Sequence, residues 1–375
     1  MTSTTETAAT TAVAPDPREA LGERIFNGAI TTAEMFTVHL GVELGLYDAL
    51  AQRGPLTSSE LAELTGIAER YAREWLEQQA VAGFLHTEGG TESATEDGAR
   101  GRYRIDPAHA EVLVDTDSPF YTAGAALILA GIARVMPQLA DAFRGGKGIP
   151  YADFGPEIRR GIAAFNRPAF LHELGSEWLP SVPDLHERLS SAPRARVLDL
   201  GCGIGTSSTA IARAYPHVEV VGIDLDHASV LEARAAAREA GLSERVTFHL
   251  GDAADEQIQG GFDLVTIFEA LHDMGDPAGA LRTARRLLAD GGSVLVADER
   301  VADAFTAPGD ELERLNYGFS VLHCLPATLA EDPVEANGTV LRAGTVRRWA
   351  AEAGFGRVEE LAIDFPFWRF YRLAG

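Results

Sequence analysis

The sequence predicts an α/β fold in which a mostly helical front part precedes a doubly wound, mainly parallel sheet of seven strands. From about residue 195 onward, short apolar runs alternate with helical patterns. Before that, residues 18–115 show helix, turn, helix and a glycine-rich hairpin, which is typical of a winged helix. The chain closes with a helix, a strand, a short turn and a strand, so the last strand is expected to be reversed.

Composition and charge narrow the class of protein. The chain has 375 residues, 46% of them hydrophobic, and a formal net charge of −23, enough length for two domains and a large core. This charge should repel nucleic acid and anionic membranes, and no apolar run approaches the ~20 residues of a membrane span. The two cysteines indicate a reducing compartment, so we expect a cytoplasmic protein without nucleic-acid or membrane partners. Residues 1–17, small and polar, predict a disordered tail.

The winged-helix pattern carries its own start and stop signals. Thr57 or Ser58 is a candidate N-cap of a helix that Gly66 ends. The next helix, the candidate recognition helix, is expected to bury one stripe: Tyr71, Trp75, Leu76 and Ala80. Residues 1–115 hold 19 acidic side chains against 8 arginines and no lysine, the wrong balance for a phosphate-binding surface. A packing module that forms a homodimer is therefore preferred over a DNA reader, and the apolar "FTVHLGVELGLYDAL" is the expected interface.

Residues 116–193 predict a helical connector rich in aromatics. These side chains suit either a core or a lid that walls a small-molecule pocket, and the sequence does not choose between them. They are Phe120, Tyr121, Phe154, Phe165, Phe170 and Trp178.

Residues 194–375 are expected to form the sheet domain. Strands are predicted at 196–200, 218–223, 246–250, 262–268 and 293–297, followed by the closing pair. Helices are predicted at 206–214, 228–240 and 277–288, with Asp276 as N-cap of the third. In open α/β sheets, ligands bind at the carboxyl ends of such strands.

The stretch "VLDLGCGIGTSSTA" places glycines at one of these ends. Gly201, Gly203 and Gly205 would let a ligand lie against the backbone, and Asp224 ends the next strand, where a carboxylate can accept ribose hydroxyls. A dinucleotide fingerprint needs a further glycine where Thr206 stands. The carboxylate of Asp199 would repel a pyrophosphate but suits an ammonium group.

With these features, the chain resembles the class I S-adenosylmethionine-dependent methyltransferases, which have a Rossmann-like fold. The "DLGCGIG" loop, Asp224, "LGDA" after the third strand and the terminal hairpin carry the resemblance. It implies that S-adenosyl-L-methionine is the cofactor and that Asp252 contacts the adenine amine, unless that residue only caps a turn. The expected cofactor-binding residues are Asp199, Gly201, Gly203, Gly205, Asp224, Leu225, Asp252, Ala253 and Phe268.

Including the front part, the chain resembles small-molecule O- and C-methyltransferases of secondary metabolism with a winged-helix dimerisation domain. The "HD" pair after the fourth strand then makes His272 the base that deprotonates the substrate, with Asp273 beside it. Asp298 matches the acidic residue that orients this histidine. A further family glutamate has no match, since Leu341 stands near its place.

A metal-assisted route stays open beside the plain base. Some bacterial relatives carry a second histidine about fifty residues after the "HD" pair, bind a metal through these side chains and methylate the carbon next to a ketone. His272, Asp273 and His323 match that set, which suits a divalent metal such as Fe holding a 2-oxo acid. His323 could equally line the pocket without a metal.

The substrate is therefore expected to be a small molecule, aromatic or a 2-oxo acid, with an O or C nucleophile. The rival from another class is a winged-helix transcriptional regulator that responds to S-adenosylmethionine without methylating anything.

Overall fold

The computed structural model describes residues 16–88, 101–191, 194–255 and 258–375. The front part contains α1 (Pro17–Glu43), α2 (Leu46–Arg53), α3 (Ser58–Thr65), α4 (Glu69–Val81), β1 (His86–Glu88), β2 (Arg102–Arg104) and α5 (Pro107–Leu113). Asp16 caps α1, so the expected tail cannot extend to residue 17; residues 1–15 and the glycine-rich part of the hairpin lie outside the described residues. Thr57 is the N-cap of α3, in a reciprocal capping box with Glu60, and Gly66 ends the helix in the left-handed region.

Helix α4 buries a different stripe from the expected one. Its buried residues are Ala72, Trp75, Leu76 and Gln79, whereas Tyr71 is 77% exposed. At 3.6 residues per turn, the centre of this stripe lies roughly 90° away from Tyr71. The prediction for Tyr71 is therefore wrong, and Ala80, at the opposite edge, is half-buried.

The connector consists of α6 (Gly124–Gly145), a 3₁₀ turn (Tyr151–Phe154), α7 (Gly155–Ala169), a π-helical segment (Phe170–Trp178) and α8 (Pro183–Ser191). By length and composition, α6 is the one described helix that could cross a membrane. Here it is a core helix, since Ile128, Ile132 and Val135 pack with Ile158 of α7.

The third part holds the large sheet and the helices on its faces. Its strands are β3 (Arg196–Leu200), β4 (Glu219–Asp224), β5 (Val246–Leu250), β6 (Phe262–Phe268), β7 (Leu288–Glu299), β8 (Arg357–Leu361) and β9 (Trp368–Ala374). Its helices are α9 (Thr206–Ala214), α10 (His227–Glu239), α11 (Pro277–Leu287), α12 (Glu311–Phe319), a π-helical turn (Ser320–Cys324), α13 (Leu325–Leu329) and α14 (Ala343–Glu352). Asp276 caps α11, as expected.

The strand order is β5-β4-β3-β6-β7-β9-β8, and β9 alone among these strands runs antiparallel to both neighbours. The prediction of a doubly wound, seven-stranded sheet with a reversed last strand is confirmed. The reversed strand is inserted between β7 and the edge strand β8. Two hydrophobic clusters cover the two faces, one around Trp178 and one around Trp349, so the carboxyl ends of β3, β4, β6 and β7 remain available for a site.

Candidate active site

The glycine loop after β3 adopts the backbone that the sequence predicts. Gly201, Gly203 and Gly205 have φ values of 71°, 53° and 80°, in the left-handed region where side chains are strained. A Cβ on Gly205 would lie 2.4 Å from the Phe248 ring, whereas one on Gly203 would meet no protein atom within 4 Å. Packing thus explains Gly205, and Gly203 leaves open space that suits a ligand lying against the backbone.

Two carboxylates hold this loop in shape. Asp224 accepts backbone hydrogen bonds from Gly203 (2.7 Å) and Asp226 (2.8 Å), so it joins the end of β4 to the loop. Asp199 is buried and accepts hydrogen bonds from the hydroxyls of Ser207, Ser208 and Thr266 at 2.6–2.7 Å. Burial raises the pKa of both carboxyls. Asp199 therefore supports the loop from the buried side, and its contact with an ammonium group stays a prediction.

The other predicted cofactor residues lie at the neighbouring strand ends. Leu225 is half exposed directly after β4, and Asp252 is exposed after β5, where its carboxylate accepts a hydrogen bond from Ala254 N (2.8 Å). Asp252 thus stabilises a turn, and its contact with the adenine amine stays a prediction. Ala253 packs against the cluster around Trp349. The Phe268 ring lies in the aromatic core, 5.9 Å from Phe170, so only its backbone remains for the predicted cofactor contact.

Two residues that the sequence did not single out lie beside these acids. Glu331, next to α13, has its pKa raised to about 7 by burial and by Asp273, Asp252 and Asp224. Burial and the charges of Asp224 and Asp226 raise the pKa of Tyr151 in the connector. The cofactor end of the site is thus surrounded by negative charge, which suits a ligand with a sulfonium and an ammonium group.

The structure brings His272 and Asp298 together from the ends of β6 and β7. His272 Nδ1 lies 2.8 Å from Asp298 Oδ1, and both residues are buried. The carboxylate fixes the proton on Nδ1, and the other ring nitrogen, Nε2, lies 3.3 Å from Asp273 Oδ1. Burial opposes a charged imidazole here, but Asp273 and Asp298 together raise the pKa of His272 well above its usual value.

The predicted metal ligands do not come together as a set. Among the described residues, the ligand atoms that lie within 4.8 Å of one another belong to His272, Asp273 and Cys324. His323 stands outside this cluster because its ring packs edge-on against Tyr151 and Phe154, at centroid distances of 5.7 and 4.8 Å. Burial lowers its pKa and raises that of the Cys324 thiol to about 12. The observed cluster differs from the expected His272–Asp273–His323 set in its third member, and metal binding by the expected set stays a prediction.

A cavity of about 270 Å³ opens in front of His272. Its wall is mostly apolar, with six aromatic and four acidic side chains, and among the described residues no arginine or lysine lines it. The acidic side chains of the wall are Glu173, Glu269, Asp273 and Glu299, and the aromatic ones that argue for a flat ligand are Tyr121, Phe165, Phe319, Phe365, Phe367 and Trp368.

The connector aromatics divide between core and cavity. Tyr121 and Phe165 line the cavity, Phe154 and Trp178 are fully buried, and Phe120 is 62% exposed. Some aromatic side chains of the connector thus belong to the core, and others form part of the cavity wall.

Four buried polar atoms of the wall have no hydrogen-bond partner among the described residues, and two of them are Asp273 Oδ1 and Thr339 Oγ1. The other two are His323 Nε2 and Asn316 Nδ2, in residues that are 4% and 2% exposed. Buried polar groups are normally paired, so orphaned ones at a cavity indicate contacts that a ligand completes.

Comparisons with known proteins agree with this geometry. Residues 191–352 match the family model "Methyltransferase domain", and residues 32–114 match the "Rv2258c-like winged HTH domain". Together with the glycine loop and the sheet order, they define the class. The chain thus has a methyltransferase domain after a winged-HTH domain, and it is an S-adenosylmethionine-dependent methyltransferase with S-adenosylmethionine as cofactor.

Particular relatives extend over most of the chain. The N,N-dimethyltransferase OxyT of Streptomyces rimosus is 29% identical over 306 residues, which cover 77% of this chain and 82% of OxyT. The tetracenomycin polyketide synthesis 8-O-methyl transferase TcmO of Streptomyces glaucescens is 29% identical over 345 residues, 87% and 88% of the two chains. The mitomycin 7-O-methyltransferase MmcR has a TM-score of 0.66 at 22% identity and covers 96% of this chain and 99% of its own. This last similarity establishes the fold.

Proposed function

We propose that the enzyme methylates an oxygen of a small aromatic molecule of secondary metabolism, with His272 as general base. The observation that carries this proposal is the 2.8 Å contact between His272 and Asp298 at the wall of an aromatic cavity. TcmO is an O-methyltransferase and OxyT an N,N-dimethyltransferase, so the relatives support a small-molecule acceptor. That the acceptor is a phenol is inferred from the site alone.

The residues provide for proton removal and alignment. When bound, the cofactor supplies an electrophilic methyl group on a sulfonium. His272 Nε2 would take the proton of the acceptor hydroxyl, so that its oxygen could attack the methyl group that the bound cofactor would supply. Asp298 stabilises the resulting imidazolium, and the cavity wall holds the acceptor in line.

The test is a pair of measurements on the full chain. Calorimetry should detect binding of S-adenosylhomocysteine, and His272→Ala should retain that binding but lose about 10²- to 10⁴-fold in kcat on the best phenol of a panel. A His272→Ala enzyme with unaltered kcat would refute the base. Failure to bind S-adenosylhomocysteine would refute the function itself.

Metal-assisted C-methylation is the second candidate, because His272, Asp273 and Cys324 do cluster. The acidic wall disfavours an anionic 2-oxo acid, since no described arginine or lysine would pair with its carboxylate there. Metal analysis of the purified protein and of Cys324→Ser tests this route. Stoichiometric metal that disappears in the variant would support it; full activity of metal-free protein would remove it.

We also propose a homodimer formed through α1. On this helix, Leu21, Ile25, Phe26 and Ile30 are 43–68% exposed in the described chain. Exposed apolar surface of this extent indicates an interface with a second copy.

The DNA-binding regulator is disfavoured by the pairing of its cations. Arg70 and Arg73 of the candidate recognition helix α4 form ion pairs with Glu74 and Glu69, and Arg102 of the hairpin pairs with Glu60. Fluorescence anisotropy at low salt should therefore show no tight binding to duplex DNA. A salt-sensitive nanomolar complex would instead favour the regulator.

A further inference from the structure

Two glutamates at the strand ends form a pair in the cavity wall that the proposed base mechanism does not use. Glu269 follows β6 and Glu299 ends the neighbouring strand β7, and burial, the charge of Glu269 and a side-chain hydrogen bond to it raise the pKa of Glu299. Both line the cavity in front of His272. Two carboxyl groups in hydrogen-bonding contact must share a proton, because like charges at this distance cannot both remain ionised.

The pair is held in place by its surroundings. Asn166 of α7 donates a hydrogen bond to Glu269 Oε2. Glu269 has φ of 51°, a left-handed conformation that is rare for residues other than glycine, and its backbone N–H donates to Ala297 O (2.7 Å). Strained backbone of this kind is concentrated at functional sites, where the surrounding structure maintains it.

The charge of the pair has no permanent partner. Neither glutamate forms an ion pair with an arginine or lysine of the described chain, and none of these residues lines the cavity. His272, whose charge lowers the pKa of both glutamates, is already paired with Asp298. Burial raises the pKa of Glu269 to about 7 and that of Glu299 well above its usual value, in keeping with one shared proton and one buried negative charge.

The orphaned atoms of the wall provide an independent indication of a polar ligand. Asn316 Nδ2 is a donor, and the neutral ring of His323 offers its Nε2 as a donor or an acceptor. A ligand that completes these contacts carries oxygen or nitrogen atoms in addition to a flat apolar body.

From these observations we infer that Glu269 and Glu299 form a subsite for a cationic amine, so that the substrate is an aromatic hydroxyl compound bearing a basic nitrogen. This inference rests on the proposed methyltransferase function and specifies its substrate class. A protonated amine held at this pair has no free lone pair, so the amine serves recognition and an oxygen elsewhere on the ligand accepts the methyl group.

The test compares three probes that share one ring: tyramine, p-cresol and 4-hydroxyphenylacetate, which carry an ammonium, a methyl and a carboxylate group. Each is titrated by calorimetry into the full chain saturated with S-adenosylhomocysteine. Tyramine should bind about tenfold more tightly than p-cresol, with 4-hydroxyphenylacetate the weakest. Equal affinities for tyramine and p-cresol, or no binding of any probe, would overturn the inference.

Matched variants test whether the two glutamates cause the difference in affinity between tyramine and p-cresol. Glu299→Gln and Glu269→Gln each keep the shape of the side chain, and either should reduce the ratio between tyramine and p-cresol to about threefold or less while p-cresol affinity is retained. Glu239→Gln, an exposed change of the same charge on α10, should leave the ratio unaltered. An unchanged ratio in Glu299→Gln would overturn the inference.

A further measurement separates substrate recognition from cofactor electrostatics. If the pair served to neutralise the sulfonium, Glu299→Gln would weaken S-adenosylmethionine relative to S-adenosylhomocysteine and leave the probe ratio intact, which would also overturn the inference. A wild-type chain that does not bind S-adenosylhomocysteine would instead contradict the proposed function.

Discussion

The surroundings of the proposed base His272 change its pKa in opposite directions, and the balance should set the pH at which the enzyme works. Its pKa is well above 6.5 despite burial, because Asp273 and Asp298 both favour the imidazolium. A protonated imidazole cannot accept a proton, so kcat/KM should rise as pH increases through this raised pKa. Asp298→Asn removes one negative charge, which should move the rising limb to lower pH and lower its plateau. A pH–rate profile checks this, and a limb that stays in place would contradict it.

Gly203 offers a second test at the scale of one residue. Gly203→Val would fill the open space beside the loop and should weaken S-adenosylhomocysteine binding by about tenfold or more. Gly146→Val is the matched control, since Gly146 has φ of 66° and similarly open surroundings at the exposed end of α6. Calorimetry should show weakened binding in the first variant alone. Equal losses in both would attribute the effect to backbone strain.

The sequence could predict residues whose role follows from position in a sheet, and it missed those that depend on local backbone irregularity. His272 and Asp298 were predicted from the resemblance to small-molecule methyltransferases, and they meet because they follow the adjacent strands β6 and β7. Glu269 was not, since no local pattern marks a left-handed glutamate after a buried strand. The position of Cys324 beside His272 was not predictable either, because a helical repeat does not reveal a π-helical turn.

At the scale of one element, α4 tests how the winged-helix core is assembled. Trp75 is buried, donates its Nε1–H to Thr37 O (3.0 Å) and packs edge-on against Tyr47 at 5.0 Å. Trp75→Ala should lower the free energy of unfolding by about 3–5 kcal/mol, whereas Tyr71→Ala should change it by about 0.5 kcal/mol or less. Chemical denaturation of both variants measures this. A larger loss for Tyr71→Ala would restore the stripe expected from the sequence.

At the scale of the whole molecule, the proposed homodimer depends on the exposed apolar face of α1 that includes Phe26 and Ile30. Phe26→Glu with Ile30→Glu places two charges on this face, and light scattering coupled to size exclusion should then report a monomer where the wild-type chain is a dimer. Phe143→Glu, on an exposed apolar side chain of α6, is the control and should leave the mass unchanged. A wild-type chain that is already monomeric would refute the proposed interface.

The π-helical turn at Ser320–Cys324 has a consequence for the length of the chain in this region. A π turn takes in one residue more than an α turn, so deleting Val321 would allow a regular helix to form. His323 and Cys324 would then rotate by roughly 100° about the helix axis. The imidazole and the thiol would both leave the cavity in front of His272. The spacing of residues, independent of their identity, thus determines whether this part of the enzyme presents any polar chemistry to its ligand.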